Sequence, residues 1–168
     1  FTKVGFIKEL TDDLPEPPNY FPSNVKLNQE GYLDFNKVLE RSLVSLELEN
    51  FKSLSEENNT IILDVRNQND FRIGFVPNSI FIGLNGGFAP WVGSVLKDIN
   101  TKILLVCDHG QEQEAIMRLS RVGFDNCLGF LNGGFKTWKD SGNSIGTIDS
   151  ISASGLEEVI DQDGEILD

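Results

Sequence analysis

The 168-residue chain is short of positive charge, of sulfur and of histidine. Fourteen Lys and Arg stand against 26 Asp and Glu, a formal net charge of -12. That balance argues against a nucleic-acid backbone or an anionic bilayer as partner. With one histidine, His109, and two cysteines, Cys107 and Cys127, donors for a transition-metal site are few. The cysteines carry no disulfide-framework spacing, which fits a reducing compartment, and the cytoplasm is the expected location. Apolar runs such as "ILLVC" fall far below the roughly 20 residues a membrane helix needs. No basic-then-apolar leader pattern stands at Phe1 and the residues after it. What remains, 39% hydrophobic and 24% charged residues, is the composition of one globular domain with extensions.

The stretch "DDLPEPPNYFP" holds four of the six prolines, so residues 1 to about 30 read as an extended segment that wraps or links to a neighbour. From Tyr32 to Leu46, the apolar residues Phe35, Val38, Leu39, Leu43 and Leu46 recur at helical spacing. A short helix around Leu48 to Leu54 follows, ending in the polar "SEENNT". Strands and helices then alternate. "TIILDV", "SIFIGL", "KILLVC" and "NCLGFL" read as strands, the first a continuous apolar run of the kind buried on both faces of a parallel sheet. "NQNDFRIG", "GFAPWVGSVLKDI" and "QEQEAIMRLSRVG" read as crossover helices, the last ended by Gly123 as a C-cap. This is the pattern of an α/β sheet with right-handed crossovers. In such sheets ligands bind beyond the carboxyl ends of the strands, where Cys107 falls.

Cys107 ends a strand and opens a turn into a helix, a place where backbone N–H groups can stabilise a thiolate. Asp108, Glu112 and Glu114 oppose that charge. As alternatives, Cys107 is a small apolar residue closing a buried strand, or, with Asp108 and His109, a metal ligand. The metal reading is weak because adjacent residues seldom converge on one ion, so no metal is expected. Cys127 reads as core, Asp64 and Arg66 as a pair securing a strand end, and Trp91 and Trp138 as packing anchors.

Several segments, taken in order, resemble the rhodanese sulfurtransferase domain: Asp64-Val65-Arg66, Asp70-Phe71, Gly74-Phe75-Val76-Pro77, Cys107, Gly123-Phe124, Gly133-Gly134 and Trp138. "RLSRVGFDN", "GLNGGFAPWVG" and "PPNYFPSNVKLN" are similar to the first rhodanese module of proteins that fuse a metallo-β-lactamase-fold persulfide dioxygenase to rhodanese modules. The resemblance implies a rhodanese-like α/β fold, with a central, mostly parallel five-stranded sheet and helices on both faces. It also implies that Cys107 is the candidate persulfide carrier, in an active-site loop of Asp108, His109, Gly110, Gln111 and Glu112, with no cofactor in this fragment. The sulfur donor would be a small persulfide or thiosulfate. Partners would be an N-terminal metallo-β-lactamase-fold domain and a following rhodanese module of the same parent chain.

Three regions follow: 1–45, a proline-rich linker and helix from a missing domain; 46–147, the rhodanese-like domain; and 148–168, the start of a second module. The last rests on "LEEVIDQDGEILD", which repeats "FKSLSEENNTIILD" with one gap. One departure from the family is chemical. Members usually carry an arginine five places after the cysteine, and here that residue is Glu112. A unit charge about 8 Å away, at an effective dielectric of about 20, is worth ~2 kcal/mol. The helix terminus returns only about 0.3–1 kcal/mol. A disfavoured thiolate and a degenerate, structural or regulatory module are therefore expected, with an active sulfurtransferase as the alternative. A cysteine phosphatase is set aside, because neither Glu112 nor Gln113 is the arginine that chemistry needs.

Overall fold

In a computed structural model the described residues are 2–12, 21–31, 34–151 and 155. The repeat expected in the last thirteen residues lies outside them. Five strands form one sheet: β1 (Ser45–Leu46), β2 (Thr60–Asp64), β3 (Ile80–Phe81), β4 (Lys102–Val106) and β5 (Cys127–Leu131). Their order is β1-β5-β4-β2-β3, and every pairing is parallel. Eight helices accompany them among the described residues: α1 (Lys3–Thr11), α2 (Phe21–Glu30), α3 (Phe35–Ser42), α4 (Leu48–Ser55), α5 (Gln68–Ile73), α6 (Phe88–Val95), α7 (Glu112–Ser120) and α8 (Gly134–Asp140).

β4 divides the core, because successive side chains leave opposite faces of a strand. Ile103 and Leu105 join Phe88 and Val92 of α6 and Ala115, Ile116 and Leu119 of α7 on one face. Leu104 and Val106 join Phe51 of α4, with Phe135 and Trp138 of α8 packed alongside, on the other. Cys107 continues the first set: its side chain sits in the same apolar cluster as Leu105 and Ala115.

Three expectations need correction. Residues 1 to 30 are not simply extended, since α1 and α2 occupy much of them. Pro22 falls in the first turn of α2, where its missing N–H removes no helical bond, and Thr2 caps α1 through the Gly5 N–H at 3.2 Å. Prolines 15, 17 and 18 lie outside the described residues. The helix expected from Tyr32 to Leu46 runs only from Phe35 to Ser42; residues 32 and 33 lie outside the described part. It stops because Leu43 leaves the helical region (φ -80, ψ 58) and the chain turns into β1, where Leu46 is buried against β5. Finally, α8 is an element beyond those the sequence predicts. The C-terminus of α7 follows its expectation: Phe124 N–H reaches Leu119 O at 3.1 Å and Gly123 N–H reaches Ser120 O at 3.0 Å, with Gly123 at φ 85. This is the paired bonding of a Schellman motif.

Candidate functional site

β2 and β4 end side by side, Asp64 opposite Val106, and the chain leaves both ends into loops that border one cleft of about 1020 Å³. From the β4 end, Cys107, Asp108, His109 and Glu112 line it. Arg66 and Asp70 enter from beyond β2, and Asn132, Lys136 and Lys139 from the β5–α8 segment. Gly110 and Gln111, expected with the loop, do not line the cleft. They shape it instead: Gly110 takes φ 89, and the Gln111 N–H bonds Asp108 O at 3.1 Å to close the turn.

The loop's polarity is the reverse of an open anion cradle. Glu112 folds back so that its Oε2 accepts the Gly110 N–H at 2.8 Å. Its side chain is only 15% exposed, while that of His109 is fully exposed, with Nδ1 3.8 Å from Glu112 Oε1. The protein's own carboxylate thus takes an N–H that could otherwise face an anion or a thiolate. At 3.8 Å the imidazole is beyond hydrogen-bond reach.

The Cys107 thiol is pushed up to about 12, first by burial and then by the charges of Glu112, Cys127, Asp108 and Asp64. The direction expected from the sequence holds, but the ranking differs. Taking the thiol out of water outweighs the carboxylates, because the side chain packs into the apolar layer rather than standing in the loop. Cys127 is likewise buried and pushed up to about 12 by burial, as a core residue on β5 should be.

Arg66, which lines the cleft, is held in an ion pair with Asp64. Asp64 is buried, and burial raises its carboxyl above the usual range, opposed by Arg66. Arg66 answers with Nη2 at 2.6 Å and with Nε at 3.0 and 3.1 Å to the two oxygens, and its backbone N–H adds a fourth contact at 3.1 Å. The same guanidinium donates to Gly74 O at 2.8 Å and lies 4.3 Å from the Phe135 ring centre. The pair secures the strand end and the neighbouring turn, as its sequence position suggested.

The cations of the cleft wall were not found from the sequence. Lys136 and Lys139 stand three apart on α8, and the signal was their helical spacing in "GFKTWKD" after Gly133-Gly134. Lys136 pairs with Asp140; among the described residues Lys139 makes no ion pair. Trp138 behaves as an anchor, packed on the second core layer with its N–H on Ser144 O at 2.8 Å. Trp91 does not: it is 63% exposed. Among the described residues no group of three or more His, Cys, Asp or Glu side chains is arranged to hold a metal ion. No helix among them is long and apolar enough to cross a membrane.

Comparison with known proteins agrees with this architecture. The family model described as Rhodanese-like domain matches residues 47–141. Among curated proteins, the chain is 30% identical over 109 residues to the adenylyltransferase and sulfurtransferase uba4 of Ogataea parapolymorpha, spanning 64% of this chain and 26% of that one. Among solved structures it is similar to the Alr3790 protein of Anabaena sp., with a TM-score of 0.53 and 21% identity over 70% of this chain and 90% of that one. It is also similar to a metallo-beta-lactamase of Staphylococcus aureus, with a TM-score of 0.59 and 23% identity over 78% of this chain and 35% of that one. The chain spans about a quarter of the curated relative it matches, and the structural likenesses concern the fold.

Proposed function

The chain belongs to the Rhodanese-like domain family, and on that premise we propose that it is a module with a degenerate active-site loop. It acts as a structural or regulatory domain in a parent protein carrying a metallo-β-lactamase-fold persulfide dioxygenase, in sulfide and persulfide metabolism. One observation carries the reading: the Glu112 carboxylate accepts the Gly110 N–H inside the loop. A loop that binds its own anion has less to offer a thiolate or an anionic donor. The fused setting is supported by the fold likeness to a chain called metallo-beta-lactamase, of which this chain covers about a third. Val4, Phe6, Ile7 and Leu10 are exposed on α1 and give that neighbour an apolar face to cover. A following rhodanese module and a cytoplasmic setting belong to the same proposal.

A second reading has its own observation, the pair Lys136 and Lys139 on the wall of the Cys107 cleft. They supply cationic character that the loop lacks. In that reading the Cys107 thiolate attacks the outer sulfur of a persulfide R–S–SH. The S–S bond breaks, R–S⁻ leaves and takes a proton, and Cys107 keeps the sulfane sulfur as a persulfide until a thiol acceptor removes it. A sulfur-transfer assay decides between the two, using thiosulfate and a low-molecular-weight persulfide in parallel. The structural reading expects background rates from both. Persulfide formation at Cys107 with the neutral-to-monoanionic donor, lost in Cys107→Ser, would install the sulfurtransferase in its place.

A further inference from the structure

A second cavity, about 580 Å³, opens at the carboxyl ends of β2 and β3 between α5 and α6. It adjoins the Cys107 cleft at one residue, Arg66, which lines both. Its walls differ in chemistry from the cleft. Among the described residues no carboxylate lines it, in a chain of net charge -12. The polar side chains are the carboxamides of Asn67, Gln68, Asn69 and Asn85. Among the described residues its one cation, Arg66, is already committed to Asp64 and Gly74 O. Among the described residues, the side-chain amides of Gln68, Asn69 and Asn85 and the indole N–H of Trp91 make no hydrogen bond within the protein.

Trp91 supplies the apolar surface. A tryptophan left 63% exposed at the rim of a cavity gains little for folding, but it is a ready stacking platform. Gly87 keeps the platform open. Its backbone (φ -77, ψ 48) does not require glycine, yet a Cβ there would lie 3.6 Å from Trp91 Cδ1, and a larger side chain would cover that edge of the indole. Carboxamides present a donor and an acceptor side by side and pair with heterocycle edges carrying the complementary pattern. A phosphate finds no uncommitted cation here.

We propose that this cavity binds an uncharged, flat heteroaromatic ring of the nucleobase type, stacked on Trp91 and bonded at its edge by the carboxamides. The site is independent of sulfur chemistry at Cys107. The test is calorimetric titration of the 168-residue chain with adenosine, guanosine, cytidine and uridine, with AMP and maltose alongside. At least one nucleoside should bind saturably. AMP should bind more weakly than adenosine, because the added phosphate meets the acidic field. Trp91→Ala should weaken nucleoside binding by roughly 5- to 150-fold, the range that loss of one stacking platform carries. Gly87→Val, tolerated by its backbone angles, should weaken it with the melting temperature retained, and Cys107→Ser should leave it unchanged. Absence of saturable binding by all four nucleosides up to roughly 10 mM would overturn the proposal. So would tighter binding of maltose or AMP than of any nucleoside, or nucleoside binding indifferent to both Trp91→Ala and Gly87→Val.

Discussion

At the scale of single residues, the chemistry of Cys107 turns on two neighbours of different kinds, the apolar layer around its sulfur and the Glu112 carboxylate. A thiol raised from 9.0 to about 12 has a thiolate fraction near neutrality about a thousandfold below that of an unperturbed cysteine. Alkylation by iodoacetamide should be slowed by a similar factor and should climb about tenfold per pH unit up to pH 11 or so. Because burial ranks above Glu112 as the cause, Glu112→Gln should speed alkylation while leaving it well below the rate of an exposed thiol. Full recovery in that variant would mean that charge, not burial, controls the sulfur. The Asp64–Arg66 pair is the other residue-level determinant. Arg66→Met would leave a buried carboxylate without its partner, a change worth about 3–5 kcal/mol. Urea unfolding should show that loss, and the double variant Asp64→Asn, Arg66→Met should recover part of it. Equal losses in the single and double variants would show that stacking of the Arg66 guanidinium on Phe135, rather than the ion pair, holds this corner.

At the scale of elements, β2, β4 and β5 were legible because each is a run of apolar residues long enough to be buried on two faces, and α7 because its apolar spacing ends in Gly123. β1 was not. Two residues carry no period of their own, and Ser45–Leu46 is a strand only because β5 lies beside it. The same local blindness hid α8, whose entry needs left-handed backbone at both Gly133 (φ 72) and Gly134 (φ 60). It also hid α1 and α2, where the neighbouring prolines drew the reading toward extended chain. In the candidate site, the loop residues could be placed from the resemblance. The fold-back of Glu112 and the cations of α8 could not, since both depend on contacts between segments. The dependence of β1 on β5 gives an element-scale prediction. Gly129 sits at φ 143, and a Cβ there would come within 2.5 Å of Val44 O, the acceptor for the Phe130 N–H at 2.9 Å. Gly129→Ala should unzip this edge. Hydrogen exchange should then show lost protection at Phe130 and at Asn132, whose N–H bonds Leu46 O, with β4 amides still protected. Retained protection at both positions would mean that the strand edge shifts to accommodate the methyl group.

At the scale of the whole molecule, both cysteines serve the packing of one sheet, and their shared burial links stability to pH. Cys107 and Cys127 each carry a folded-state value of about 12, above the 9.0 of a solvated thiol. Below pH 9 both thiols are protonated in the folded and unfolded chains alike, so they give stability no pH dependence. Between about pH 9 and pH 12 the unfolded chain releases these protons while the folded chain keeps them. The unfolded state then binds fewer protons, and stability must fall as pH rises, by up to about 1.4 kcal/mol per pH unit for each thiol. The self-repulsion of a chain at -12 grows over the same range as lysines lose charge, so a decline in the wild type alone would not identify its source. The slope difference does. Cys107→Ser removes one titrating group, and its unfolding free energy measured from pH 8 to pH 11 should fall less steeply than that of the wild type, whatever its value at pH 8. Cys127→Ala should flatten the curve similarly while starting lower, since it removes a core side chain. Parallel curves for wild type and Cys107→Ser would show that the sulfur is as free to ionise in the folded protein as in the unfolded one. The packed thiol would then cease to support the proposed degenerate site, and the self-occupied loop would stand as its one remaining support.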